Sequence, residues 1–152
     1  MEGISSRIEV VKAAYKGTEP LNIRFEITND SDKPINVLKW STPLEGFNAN
    51  IFQVKRDGAP VSYIGRVIKR GAPGPEDYVN IASGKSVSTV VSLSQAYEIY
   101  EMGDYSVEFK SRILDIGHDA PAKLVKKTFF MPKLIRSNTV SFKLLEKESV
   151  LL

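Results

Sequence analysis

Leu21, Ile23, Phe25 and Ile27 alternate with Asn22, Arg24, Glu26 and Thr28, a period of two that turns one strand face to a core and the other to water. Tyr105, Val107 and Phe109 repeat the pattern, as do Val140, Phe142 and Leu144 within the run from Ser137 to Leu145. From Ser86 to Leu93 the apolar members are Val87, Val90 or Val91, and Leu93, which predicts another half-buried strand. Arg7 to Tyr15 reads as a first strand carried by Ile8 and Val10, with Ala13 and Tyr15 further along, and Gly17 to Pro20 breaks it. After the turn Asn29 to Pro34, Ile35 and Val37 open the next strand, with Lys39 on its continuation. Ile51, Phe52 and Val54 lead to Asp57-Gly58, a strong hairpin signal, after which Val61, Tyr63 and Ile64 run back; Val79 and Ile81 follow Glu76-Asp77-Tyr78. Ser94 to Tyr100, with Ser94 as a candidate N-cap, predicts a single helical turn.

Short alternating strands separated by turn residues, with one helical turn among them, predict an all-β fold. Gly103-Asp104-Tyr105 sharpens the expectation, because a tyrosine at the mouth of a strand is placed to tie a sandwich corner back to the backbone through its hydroxyl. The reading is an immunoglobulin-like antiparallel β-sandwich over residues 1–146, followed by a short tail, 147–152. Tyr105, Gly103 and the turn pair Asp57 and Gly58 are its structural residues. Three stretches escape the alternation. Leu38 to Phe47 is a semi-ordered connection with the chain's single Trp, and Arg66 to Pro75 is a Gly/Pro-rich loop. Residues 112–136 form a 25-residue connection with four lysines and Phe129-Phe130-Met131, and a loop of that length either binds something or hides a short strand.

At 152 residues the chain is long enough for a full two-layer core. The absence of cysteine rules out disulfides, thiolate metal sites and thiol redox chemistry. It suits a reducing compartment and is equally compatible with a secreted bacterial protein. Twenty-one Lys and Arg against 18 Asp and Glu leave a net charge of +3, too little for a nucleic-acid stripe. No apolar run approaches the ~20 residues that cross a bilayer. His118 is the only histidine and reads as a solvated loop residue between Asp115 and Asp119, whose spacing matches no calcium loop. No phosphate-binding glycine motif occurs either, so the residues imply no cofactor, no metal and no catalytic centre.

What remains is a contact surface. Trp40 fits either the core of such a sandwich or, beside Pro43 and Phe47, an interface anchor set. Lys39, Lys69, Arg70, Pro73 and Asp77 complete the candidates for touching a partner. Lys69-Arg70 and Lys126-Lys127 read as docking charges for an acidic partner or as ordinary solvated surface.

Six segments in order, VLKWSTPLEGF at 37–47, FQVKRDGAPVSYIG at 52–65, VIKRGAPGPEDYV at 67–79, GKSVSTVVSLSQAYEI at 84–99, GDYSVEF at 103–109 and SNTVSF at 137–142, together resemble a known domain. It is the non-catalytic N-terminal β-domain of bacterial deuterolysin-type (aspzincin) zinc metallopeptidases, the group that includes peptidyl-Lys endopeptidases. Lys39-Trp40-x-x-Pro43 and Lys69-Arg70-x-x-Pro73 are the most distinctive matches. The family's protease domain needs a His-Glu-x-x-His helix, and one histidine cannot supply it. The resemblance therefore implies a non-enzymatic domain that accompanies, and in a propeptide-like or inhibitor-like way regulates, a protease. It implies a protein partner, with a zinc metallopeptidase foremost. It implies a secreted or periplasmic setting after removal of a leader, with a cytoplasmic one still open. No nucleic-acid or membrane partner is implied, and a homodimer through an edge strand stays open. The alternative is an extracellular adhesive or glycan-binding module.

Overall fold

The computed structural model describes residues 3–17, 19–126 and 130–145. The expected tail, 147–152, together with Lys127 and Phe129, lies outside the described residues.

The strongest alternation forms β3 (Asn22–Asn29), whose inward residues Ile23, Phe25 and Ile27 are buried while their neighbours stay half-exposed. It is flanked antiparallel by β1 (Ile4–Val10) and β8 (Ser86–Ser92). The opposing sheet runs in the order β2 (Ala14–Lys16), β11 (Lys133–Leu145), β9 (Gly103–Ile113), β5 (Phe52–Arg56) and β6 (Ala59–Pro60). Side chains from both sheets merge in one buried cluster. Phe25 meets Phe109 across it with ring centroids 4.8 Å apart. The sandwich is thus held by aromatic and branched residues that alternation alone assigns to the interior.

A third sheet, β10 (Ile116–Gly117), β4 (Ile35–Leu38) and β7 (Tyr78–Ile81), adds Ile35, Val37 and Ile81 to the same buried cluster. Its buried pair Leu38 and Tyr78 closes on Leu124 of the single α-turn α1 (Pro121–Leu124), forming a satellite cluster apart from the main core.

Several expectations need correction. The strand over 7–15 is two strands: Val11, 67% exposed, marks the break, and β2 crosses to the other sheet, where it pairs parallel with β11. Tyr15 drives the crossing by burying its ring edge-on against Phe142 at 5.6 Å. The sandwich is therefore antiparallel except for this one pairing. The return from the Asp57-Gly58 turn is only two residues long because Pro60 has no N–H for the ladder, and Tyr63 rejoins through a single bridge to Tyr97. The helical turn predicted from Ser94 is a 3₁₀ turn at Leu93–Gln95 with Ser92 in the cap position. Further 3₁₀ turns occupy Pro43–Glu45 and Pro75–Asp77. The long connection at 112–136 carries regular elements of its own: β9 continues to Ile113, β10 and α1 follow, and β11 begins at Lys133. A register shift between Arg136 and Thr139 breaks the period of two in β11, so the expected strand from Ser137 to Leu145 is found but its first part, from Lys133 to Arg136, is hidden from a pattern search.

The corner at Tyr105 has the expected geometry: the hydroxyl donates to the Glu101 carbonyl at 2.6 Å and the ring is buried. Asp57 and Gly58 both have positive φ, +49° and +85°, the twist that a two-residue hairpin needs. The Asp57 carboxylate accepts from the Asp104 N–H at 2.9 Å, clamping the hairpin to the start of β9. A Cβ on Gly103 would come within 2.9 Å of Arg56 Cγ and Asp57 Oδ2, so only glycine fits there undisturbed.

Candidate functional site

The third sheet ends at Leu38, and the chain then leaves the ladder; Trp40 consequently sits beyond the strand, half-buried over the satellite cluster. The next residue, Ser41, has φ +60°, a left-handed conformation that a β-substituted residue adopts at a cost of about 1 kcal/mol or more. Three bonds hold the corner. The Ser41 N–H donates to Glu45 Oε2 at 2.8 Å, the Ser41 carbonyl accepts from the Ser111 hydroxyl at 2.8 Å, and Thr42 Oγ1 donates to the Lys39 carbonyl at 2.7 Å. The same Thr42 oxygen accepts from the Leu44 N–H, capping the 3₁₀ turn.

The other carboxylate oxygen of Glu45 forms an ion pair with Arg70, and the Arg70 guanidinium lies over the Trp40 ring, 4.7 Å from its centroid. Glu45 thus holds the strained corner with one oxygen and the cation above the indole with the other. The loop bearing Arg70 is anchored further back, where Asn48 accepts from the Arg66 guanidinium at 2.8 Å and its carbonyl accepts from the Ile68 N–H at 3.0 Å. Between these segments and the adjoining ends of β9 and β11 opens a groove of about 310 Å³, lined by Trp40, Ile68, Arg70, Arg112, Leu114 and Pro132. Its floor is apolar and its rim cationic. The Arg112 side chain makes no ion pair or hydrogen bond among the described residues. The Trp40 Nε1–H is buried and has no acceptor there.

Among the residues expected to contact a partner, Trp40 and Arg70 come together and Lys69 is exposed beside them. Lys39 and Asp77 link the two loops through a backbone bond of 2.9 Å, and the Asp77 carboxylate accepts from the Gly74 N–H, so Asp77 shapes its loop. Pro43 and Pro73 are buried and unavailable for contact. Phe47 packs 6.0 Å from the rings of Phe52 and Tyr97, an extension of the core. Glu45, Ile68, Arg112, Leu114 and Pro132 went unnoticed in the sequence. An apolar Ile68 inside a Gly/Pro loop was the one available signal; the rest converge only through folding.

Other ionisable groups are structural. Asp115 is buried and accepts from the Tyr78 hydroxyl at 2.6 Å. Burial first, then this carboxylate, pushes the Tyr78 phenol well above its ordinary range. Burial likewise raises Tyr97, whose hydroxyl accepts from the Phe52 N–H at 2.9 Å and donates to Asn50 at 2.7 Å. His118 is exposed, its Nδ1 3.0 Å from the Pro34 carbonyl oxygen. Among the described residues no group of three or more His, Cys, Asp or Glu side chains could hold a metal, and no helix is long and apolar enough to cross a membrane.

An extracellular protease of Aeromonas hydrophila is 35% identical over 107 residues, 70% of this chain, while the chain spans only 30% of that protein's length. Among solved structures, a β-glucosidase from Listeria innocua with bound glucose aligns at a TM-score of 0.38 and 10% identity, over 97% of this chain and 17% of that one. The same enzyme with isofagomine aligns at 0.34 and 11% identity, over 88% and 16%; scores this low carry no weight. A family model described as an immunoglobulin-like domain matches residues 10–143, and the chain belongs to that immunoglobulin-like domain family.

Proposed function

We propose that this domain is a non-catalytic accessory module that binds a protease and regulates it, in the manner of a propeptide or inhibitor, with the Trp40–Arg70 groove as its contact surface. The observation that carries the proposal is the 35% identity to a section of an extracellular protease. That protease's remaining length has no counterpart in this chain, so the shared part suits an accompanying role rather than the chemistry. A deuterolysin-type zinc peptidase and a secreted setting are the finer form of the proposal, resting on the Lys39-Trp40-x-x-Pro43 and Lys69-Arg70-x-x-Pro73 segments.

The physics is that of ordinary recognition. An aromatic anchor with an adjacent arginine is the residue pair that most often dominates an interface. A corner already held by Glu45, Ser111 and Thr42 loses little entropy on binding. A sugar-stacking role is less well served, because Arg70 already covers one face of the indole. The test is capture of a purified deuterolysin-type peptidase by the immobilised domain, with peptidase activity followed in parallel. Wild type should bind and alter the activity, and Trp40→Ala should bind at least about ten-fold more weakly. No capture by folded wild type defeats the proposal.

A further inference from the structure

We infer that the groove beside Trp40 takes an acidic segment of the partner protein: an apolar side chain seated on the floor, with a carboxylate next to it paired to Arg112. This names the partner chemistry of the site proposed above and rests on that reading.

Charge decides the occupant. Arg70 and Arg112 line the groove, with Arg66 and Lys69 on the loop beside it, and Glu45 is the one acid among the lining residues. That acid is already committed, one oxygen to Arg70 and the other to the Ser41 N–H. Arg66 is spent on Asn48. Lys69 is exposed on the loop and does not line the groove, which leaves Arg112 as the uncommitted cation of its lining: it is the penultimate residue of β9, exposed, with its backbone paired to Leu134 and its side chain without an ionic partner among the described residues. A guanidinium at the lip of an apolar floor made of Trp40, Ile68, Leu114 and Pro132 favours a carboxylate attached to something apolar. A basic or purely polar segment would leave either the charge or the floor unmatched. Arg70 complements this arrangement without competing for the ligand, since Glu45 neutralises it and the indole face supports it.

Trp40 is the only tryptophan in the chain, so its fluorescence reports on the groove directly. The experiment titrates the whole domain with three capped pentapeptides that place Leu between two aspartates, two asparagines or two lysines. The Asp peptide should bind saturably, about five-fold or more tighter than the Asn peptide and tighter still than the Lys peptide, with the margin shrinking as salt rises. Arg112→Gln should abolish the preference for Asp, and Arg112→Glu should reverse it in favour of Lys. Both substitutions fall on an exposed side chain, so thermal melting should match wild type. Equal binding of the Asp and Asn peptides, no binding of any peptide, or an Arg112→Glu variant that keeps the Asp preference would overturn the inference. So would a heparin oligosaccharide that binds tighter than the Asp peptide and displaces it, which would assign the groove to an anionic glycan. The two readings separate cleanly: if wild type captures the peptidase and Arg112→Glu captures it equally well, the partner stands and the acidic segment falls. If the Asp peptide binds as stated but no peptidase is captured, the groove chemistry stands and the protease partner falls.

Discussion

The main interior and the satellite cluster under Trp40 solve the same problem by different means. Between the two large sheets the contacts are mostly aromatic and branched side chains, Phe25 on Phe109 at 4.8 Å and Phe52 on Phe109 at 5.8 Å, and the buried Tyr97 hydroxyl is satisfied by the Phe52 backbone. In the satellite cluster Leu38, Tyr78 and Leu124 are buried together with polar neighbours, and each polar neighbour needs its own partner: Tyr78 with Asp115, Thr42 with the Lys39 carbonyl. The first region is stiff because close packing leaves it no alternative arrangement. The second is held by directional bonds around a left-handed serine and a half-buried indole, and it still has a cation and an indole N–H unmatched among the described residues. A scaffold can afford such a surface only where the rest of the fold does not depend on it.

That contrast can be broken by mutation. Phe109→Ala, in the centre of the main interior, should cost about 3–5 kcal/mol in chemical denaturation; a loss below about 1 kcal/mol would show that the two sheets do not share one core. Tyr78→Phe leaves the buried Asp115 without its phenolic donor and should cost about 1–3 kcal/mol, a smaller loss that tests whether the satellite cluster depends on its polar bonds. Trp40→Ala should cost about 1 kcal/mol in stability, because the ring is half-exposed, while removing partner binding. If it unfolds the domain instead, Trp40 belongs to the core and the proposed surface is wrong.

The smallest effect lies on the solvent side of β9 and β11, at the two-pronged pair of Arg136 with Glu108, 2.7 and 2.9 Å. The bonded guanidinium holds the Glu108 carboxyl below its ordinary value of 4.5. A carboxyl with a lowered folded value adds stability above the unfolded value and loses it as pH falls through the folded one. Arg136→Ala should therefore lower the melting temperature slightly at pH 7, and the difference from wild type should vanish at acid pH below that lowered value. A difference that persists there would point to lost packing by the arginine stem instead.

Alternation made the large sheets readable in advance. Period two over Leu21 to Ile27 and over Tyr105 to Phe109 could bury only one face, and Gly103, Tyr105, Asp57 and Gly58 carry local geometry that needs no distant partner to be recognised. Local rules failed where a residue's role depended on what arrived from elsewhere. Pro43 and Pro73 look like loop contacts in the sequence and are buried in the fold, and the first part of β11, Lys133 to Arg136, escapes notice because the shift at Arg136 and Thr139 puts it out of phase with Phe142 and Leu144.

The sequence by itself determined that this is a β-sandwich without disulfides, because side-chain period, turn chemistry and residue inventory are properties of neighbours along the chain. Only the tertiary structure decided that Trp40 stands under Arg70, that Glu45 holds both, and that Arg112 faces the groove without an ionic partner among the described residues. Trp40 and Arg112 are 72 positions apart (112 − 40), and residues so distant in sequence meet or miss each other only when the packing of whole sheets sets their distance.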